Sequence, residues 1–342
     1  MTTRREAAAV ISAALLPLSF GAQAQKKTNV LFNSFIAAQH PVNTRILKPW
    51  ADDISKATEG RVTFEFPPKD LSSPPQQMDG VTKGIFDMAY QFHGFMAQKV
   101  KLTQLAHLPF VNTTARGSSI ALWRTYEKFF AKADEFKEVQ LIGLCVALPG
   151  PIFGMKGPIR GAADIKGTKI YALPGVAARI LESAGGGVVA APAVRSYEVI
   201  SGGTVDAFAG YSVMDANAFN TLQYAKHVTD IPGHLTAPAF AFFMNKRKWA
   251  SIPKADQDII TRSGGEELAR RFGTYDGIET QARRAAAAGI QFSTASEAFI
   301  KELRDFAAPL EKAWLDDAAQ LGVDGKAALA HYIEQAKVNA TA

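Results

Sequence analysis

The sequence predicts an α/β protein of two domains, each a sheet of largely parallel strands covered by helices. Three observations predict it. Short apolar runs alternate with helical patterns almost from end to end. The alternation runs once through the first half of the 342 residues and restarts near Lys169. No internal repeat, low-complexity segment or Pro/Ser linker interrupts it, so crossing strands are expected to join the domains, not a flexible tether.

The first series opens with Asn29-Val30-Leu31-Phe32, a strand. A helix then starts near Pro41, in its first turn, and buries Ile46, Trp50 and Ile54. Gly60 closes it at the position that left-handed caps require. Arg61 to Phe66 alternates strictly, with Val62, Phe64 and Phe66 on one face. Phe86 to Tyr90 is a further strand. Trp123, Tyr126 and Phe130 form a helical stripe leading into a buried strand at Val139 to Val146.

The second series reads strand at Lys169 to Ala172, helix at Val176 to Ala184, strand at Val188 to Ala190, helix at Ser196 to Ile200 and strand at Thr204 to Ala209. Phe240 to Met244 is a later strand. One long helical stretch follows from about Ala255 to Ala288, with few breakers beyond Gly264-Gly265, Gly273 and Gly277. It exceeds one small domain and is expected to run along both. Glu297 to Leu321 and Lys326 to Ala336 are helical.

The N-terminus reads as an export signal. Arg4 and Arg5 form a positive start, Ala7 to Phe20 an apolar stretch, and Ala22-Gln23-Ala24 a small-x-small cleavage pattern. The apolar run is too short to span a bilayer, and nothing later is long or uncharged enough to do so. Cleavage is expected after Ala24 by the ordinary secretory route, since Glu6-Ala7-Ala8 continues a twin-arginine signal poorly.

Apolar residues make up 47% of the chain, enough to build real cores in two domains. Losing Arg4, Arg5 and Glu6 lowers the net charge of +6 by one, and the remaining excess is scattered, without the basic block of a nucleic-acid binder. The single cysteine, Cys145, sits in an apolar run and reads as a buried core residue, so no intramolecular disulfide is possible.

Patterns that carry chemistry are scarce. Gly185-Gly186-Gly187 follows a helix and precedes a strand, the reverse of a phosphate-cradling loop, and reads as a turn. Gly210-Tyr211-Ser212-Val213-Met214 starts like a nucleophile elbow but lacks the closing glycine. The histidines His40, His93, His107, His227, His234 and His331 show no helical i, i+4 pair with an acidic partner, so neither a metal site nor a cofactor is expected. Asp52-Asp53 and Asp316-Asp317 lie on amphipathic helices and read as solvated.

The order of the remaining motifs is informative. Thr58-Glu59-Gly60-Arg61-Val62 is followed by Phe66-Pro67, Gly84 to Ala89, Leu108-Pro109-Phe110 and Asp164 to Ile170. Tyr197 to Ala207, with Gly203 and Val205-Asp206, then precedes His227-Val228-Thr229 and the Asn245 to Pro253 segment. In this order the chain resembles the DctP-type solute-binding subunits of TRAP transporters across nearly its whole mature length.

That resemblance implies a type II periplasmic-binding-protein-like fold, with two doubly wound α/β lobes, a hinge and a long interdomain helix. The expected boundaries are 1–24 for the signal, 25–149 plus 236–272 for lobe I, and 150–235 plus 273–342 for lobe II, the helix at about 255–288 crossing between lobes. It also implies a periplasmic receptor that catalyses nothing, closes on a small organic solute and hands it to a TRAP membrane permease without itself spanning the membrane. The alternatives are a receptor presenting its closed form to a membrane sensor protein, and an exported enzyme.

Several positions depart from the family. In relatives the residue after Lys169-Ile170 is usually an arginine that grips the ligand carboxylate bidentately; here it is Tyr171. Many relatives place a second arginine before the Pro158-Ile159 counterpart, where this chain has Gly150-Pro151-Ile152-Phe153 nearby. A polar pair after Val205-Asp206 is replaced by Ala207-Phe208-Ala209-Gly210-Tyr211. Arg195 stands where relatives commonly carry glutamate, and either meets a ligand carboxylate or is a surface arginine at a helix start.

Tyr90, Phe92, Phe95, Phe153, Tyr171, Phe208, Tyr211 and Phe240 fall on segments that line the cleft in relatives. About half are expected to be core, the others to stack on a ring or box an ammonium group. Burying a carboxylate without a charged partner costs several kcal/mol, and each hydrogen bond to it returns only about 1.5–3 kcal/mol. A dicarboxylate or sugar acid is therefore disfavoured. The expected ligands are an aromatic or hydrophobic monocarboxylate held by Arg195, then a neutral aromatic, then a small organic cation.

Overall fold

A computed structural model describes residues 27–341. The expected signal peptide and its cleavage point near Ala24 lie outside the described residues. Strands β1 (Thr28–Asn33), β2 (Val62–Glu65), β3 (Met88–Phe92) and β4 (Gln140–Val146) precede the first crossing of the chain. After it come β5 (Ile152–Gly154), β6 (Lys169–Ala172), β7 (Gly187–Ala190), β8 (Ala207–Ala209) and β9 (His227–Asp230). The chain then returns for β10 (Ala239–Met244) and crosses again to β11 (Gln291–Thr294).

Two sheets result, with strand orders β2-β1-β3-β10-β4 and β11-β9-β5-β8-β6-β7. Each is covered on both faces, as an α/β lobe requires. Val30, Tyr90, Phe242 and Met244 pack on one face of the first sheet, and Ala89, Leu144, Ala241 and Phe243 on the other. In the second sheet Ile152, Ile170, Ala172 and Ala207 face one way, while Phe153, Tyr171, Phe208 and Val228 face the other. Cys145 is fully buried in the first lobe.

The sheets are mixed, which corrects the expectation of largely parallel ones. Strand β10 runs antiparallel to β3 and β4, and β5 antiparallel to β8 and β9. Both strands lie at crossings between sheets, so neither needs the helical return that keeps consecutive strands parallel.

The single helix expected over 255–288 is three: Lys254–Ser263, Gly265–Arg271 and Thr274–Ala286. At Gly264 the backbone is extended, and a Cβ there would lie 2.4 Å from the Ile142 carbonyl oxygen of β4. The chain passes so close to the sheet that it leaves the helical path for one residue. The last helix, Gly325–Val338, expected in the second lobe, packs its Ala328, Tyr332 and Ala336 into the core of the first. Tyr332 Oη donates to Asn112 Oδ1 at 2.6 Å, and Thr113 Oγ1 to the Ala336 carbonyl at 2.9 Å.

Helix Thr274–Ala286 ties the lobes together. The Asp276 carboxylate accepts the amides of Ala115 and Arg116 at 2.8 and 3.2 Å, capping helix Ala115–Thr125 of the first lobe. One turn on, Glu279 accepts the amides of Met214 and Val213 at 2.7 and 3.3 Å, capping helix Val213–Ala218 of the second. These are orphan donors that a helix start must satisfy. Burial raises both carboxyls above their ordinary range, the amide bonds opposing it. Arg283 joins Glu279 to Asp230 at the end of β9, at 2.6 and 2.9 Å.

Candidate functional site

Period-two geometry in the first sheet builds one wall of an interlobe cavity. Tyr90 and Phe92 alternate on β3, Phe240 and Phe242 on β10, so each pair shares a face. The antiparallel register sets Phe242 opposite Tyr90 and Phe240 opposite Phe92. The Tyr90 and Phe242 rings stack at 5.2 Å, and Phe92 meets Phe240 at 5.8 Å. Phe35 leans on Tyr90 at 4.8 Å. The Tyr90 hydroxyl lies 3.2 Å from Ser34 Oγ, and burial raises its pKa.

The opposite wall comes from the segment after β8. Gly210, at φ +105°, turns the chain out of the strand in a conformation that suits glycine. Ser212 caps helix Val213–Ala218, accepting the Asp215 amide at 3.1 Å while its hydroxyl donates to Asp215 Oδ2 at 3.0 Å. Tyr211, Asp215 and Phe219 thereby reach the cavity, together with Leu173, Pro192 and Ala193. The Tyr211 hydroxyl lies 3.2 Å from Thr221 Oγ1.

The space left between the walls is narrow, half of its lining residues are aromatic, and among them there is no Lys or Arg. Its polar groups are the tyrosine hydroxyls, His40 and Asp215. His40 Nδ1 accepts the Val42 amide at 3.2 Å, which puts the neutral ring's proton on Nε2. Nε2 lies 3.5 Å from Asp215 Oδ1, across the interface between lobes. The His40 ring rests on Phe219 at 5.1 Å. Ser212 bonds to Asp215 and not to an imidazole, so the three residues do not form a nucleophile–base pair.

Of the residues singled out from sequence, Tyr90, Phe92, Phe95, Tyr211 and Phe240 line this cavity. Phe153, Tyr171 and Phe208 do not. They form a cross-strand row in register on β5, β8 and β6, fully buried, with Phe153 and Phe208 stacked at 4.4 Å. The Tyr211 ring, which lines the cavity, lies 6.0 Å from Tyr171 and Phe208 and 6.3 Å from Phe153. The Tyr171 hydroxyl donates to the Ala191 carbonyl at 2.9 Å.

Gly210 borders a small adjoining pocket beside Leu173 and Phe92. Arg195 stays on the surface, its side chain 61% exposed, bonded to Glu198 at 2.6 and 2.9 Å. It does not line the cavity, in keeping with the alternative reading of a surface arginine at a helix start. His40, Asp215, Phe219 and Tyr275 were not foreseen. Asp215 lay within reach, since Ser212-x-x-Asp215 is a capping pattern, but nothing local couples it to a histidine far back in the chain.

Comparison with known proteins agrees with this architecture. The DctP family model, described as bacterial extracellular solute-binding protein, family 7, matches residues 32–317. The chain is 52% identical over 340 residues to "Outer membrane transporter protein TsaT" of Comamonas testosteroni, covering 99% of this chain and 100% of that one. A TRAP periplasmic solute-binding protein from Bordetella bronchiseptica, solved with (R)- and (S)-mandelate, superposes with a TM-score of 0.87 at 34% identity over 91% of this chain and 99% of that one. One from Rhodoferax ferrireducens, with copurified benzoate, gives 0.83 at 25% identity over 92% and 99%. The chain belongs to the bacterial extracellular solute-binding proteins of family 7, receptors of the TRAP type.

Proposed function

We propose that this receptor captures a small aromatic monocarboxylic acid in the periplasm and delivers it to a TRAP membrane permease, catalysing nothing itself. The observation that carries the reading is the cavity: aromatic on both walls and without a guanidinium or ammonium group among its lining residues. A flat ring gains from stacking against Tyr90, Phe92 and Phe240. No carboxylate has a cationic partner among the lining residues, so a ligand with two would carry that desolvation cost twice. The similar receptors with mandelate and benzoate support the same class of ligand.

The ligand-binding set is then Tyr90, Phe92, Tyr211 and Phe240 with His40 and Asp215, while Phe153, Tyr171, Phe208 and Gly210 shape the second wall from behind. We place the lobe boundaries near residues 149 and 236, where the chain crosses between sheets, and assign Gly325–Val338 to the first lobe.

Calorimetry with benzoate, mandelate, benzamide and succinate tests the reading. Saturable heat for the aromatic acids, with compaction in solution scattering, is the expected result. Binding of succinate alone would overturn it.

A further inference from the structure

The cavity holds an unusual pair of polar groups for a site that takes an anion. Asp215 lines the space, with Oδ2 held by Ser212 and Oδ1 on the side of His40. His40 is 4% exposed, and among the described residues its Nε2 has no hydrogen-bond partner. The 3.5 Å to Asp215 Oδ1 is too long for a good hydrogen bond. A buried donor aimed into a ligand cavity without an acceptor costs free energy unless the ligand supplies one.

We propose that His40 Nε2–H anchors the ligand carboxylate, and that Asp215 takes up one solvent proton on binding, so that ligand and Asp215 share it between their oxygens. This rests on the aromatic-acid reading. The charge count requires the proton. Two carboxylates side by side in an apolar cavity cannot both stay ionised. His40 Nδ1 already accepts the Val42 amide, so the N–H it offers the ligand is the one on Nε2.

The other groups facing this corner do not supply the charge. From the first lobe come the Tyr90 hydroxyl and Ser34. Tyr211 and Ser212 come from Asp215's own segment. Tyr275 and Glu279 face it from helix Thr274–Ala286, and the charge of Glu279 is paired with Arg283, which is itself shared with Asp230. The step balances as ligand carboxylate plus Asp215 carboxylate plus one proton from the buffer, with no bond made or broken to carbon.

The test is calorimetry of the full mature chain with benzoate near pH 7, in buffers of widely different ionisation heat, and with benzamide as the neutral control. The expected result is uptake of about one proton per benzoate and none per benzamide, with benzoate affinity falling about tenfold per pH unit above neutrality. In Asp215→Asn the proton count drops to near zero. His40→Gln weakens benzoate roughly ten- to hundredfold, the scale of a hydrogen bond to a charged group.

Benzoate binding with no proton uptake in any buffer overturns the proposal and leaves the aromatic-acid reading standing. So does uptake that persists in Asp215→Asn, or affinity unmoved in His40→Gln. Absence of binding by benzoate and mandelate alike defeats the aromatic-acid reading and this proposal with it. The buffer series on the unmodified protein decides the matter even where a variant fails to fold.

Discussion

The two walls of the cleft use the same kinds of residue differently. On the first lobe the sheet itself is the wall: β3 and β10 expose Tyr90, Phe92, Phe240 and Phe242 directly to the cavity. On the second lobe the aromatic row Tyr171, Phe208 and Phe153 is fully buried behind Tyr211, and the wall is Tyr211 with helix Val213–Ala218. One wall is a rigid sheet face. The other is a short helix whose position depends on a cap from Glu279, on the helix joining the lobes. An aromatic strand residue is thus a ligand contact or a core residue according to whether something lies over it.

Substitutions in the covered row should break the second wall without touching a ligand. Phe208→Ala removes a fully buried ring and is expected to cost about 3–5 kcal/mol in a urea titration. A loss below 1 kcal/mol would mean that the row is not packed as described.

Acid should distinguish the first wall. His107 lies beside Phe92 at 5.0 Å, and its Nε2 accepts the Ala239 amide at 3.0 Å, so it is held neutral. Burial lowers its pKa from 6.5 to about 3. A depressed value means the folded state binds fewer protons, so its stabilisation is present above pH 6.5 and lost as pH falls toward 3, by a few kcal/mol in order of magnitude. Melting curves should show a shallower acid decline in His107→Gln than in the parent. Equal declines would remove His107 from the account.

The coupling between the walls has its own test. Glu279→Ala leaves two helix-start amides without an acceptor and should cost about 1–3 kcal/mol. It should also weaken aromatic-acid binding, since Asp215 rides on that helix. Unchanged affinity would show that the cap does not position Asp215. Tyr171→Phe is a smaller perturbation: about 1 kcal/mol of stability from the lost bond to Ala191, with ligand affinity intact. Arg195→Ala should change neither quantity measurably, because an exposed pair of this kind contributes little. A clear loss of affinity there would return Arg195 to the site.

Local patterns carried much of the fold. The strict alternation of Arg61 to Phe66, the left-handed Gly60 and the apolar run ending at Val146 all stand where the sequence placed them, because period and cap chemistry act over a few residues. The short strands β5, β9 and β11 were not separated from their surroundings. They are no shorter than β6, β7 and β8, which the sequence does show, and it is pairing within the sheet that makes them strands.

Sequence by itself determined the two α/β series, the crossing of the chain between them and the family. Only the tertiary structure decided which aromatics meet the ligand space, because that depends on what covers a sheet face. It alone also brought His40 to Asp215. No local pattern ties a loop in one lobe to a helix in the other, and only closure of the lobes sets their side chains within a few ångströms.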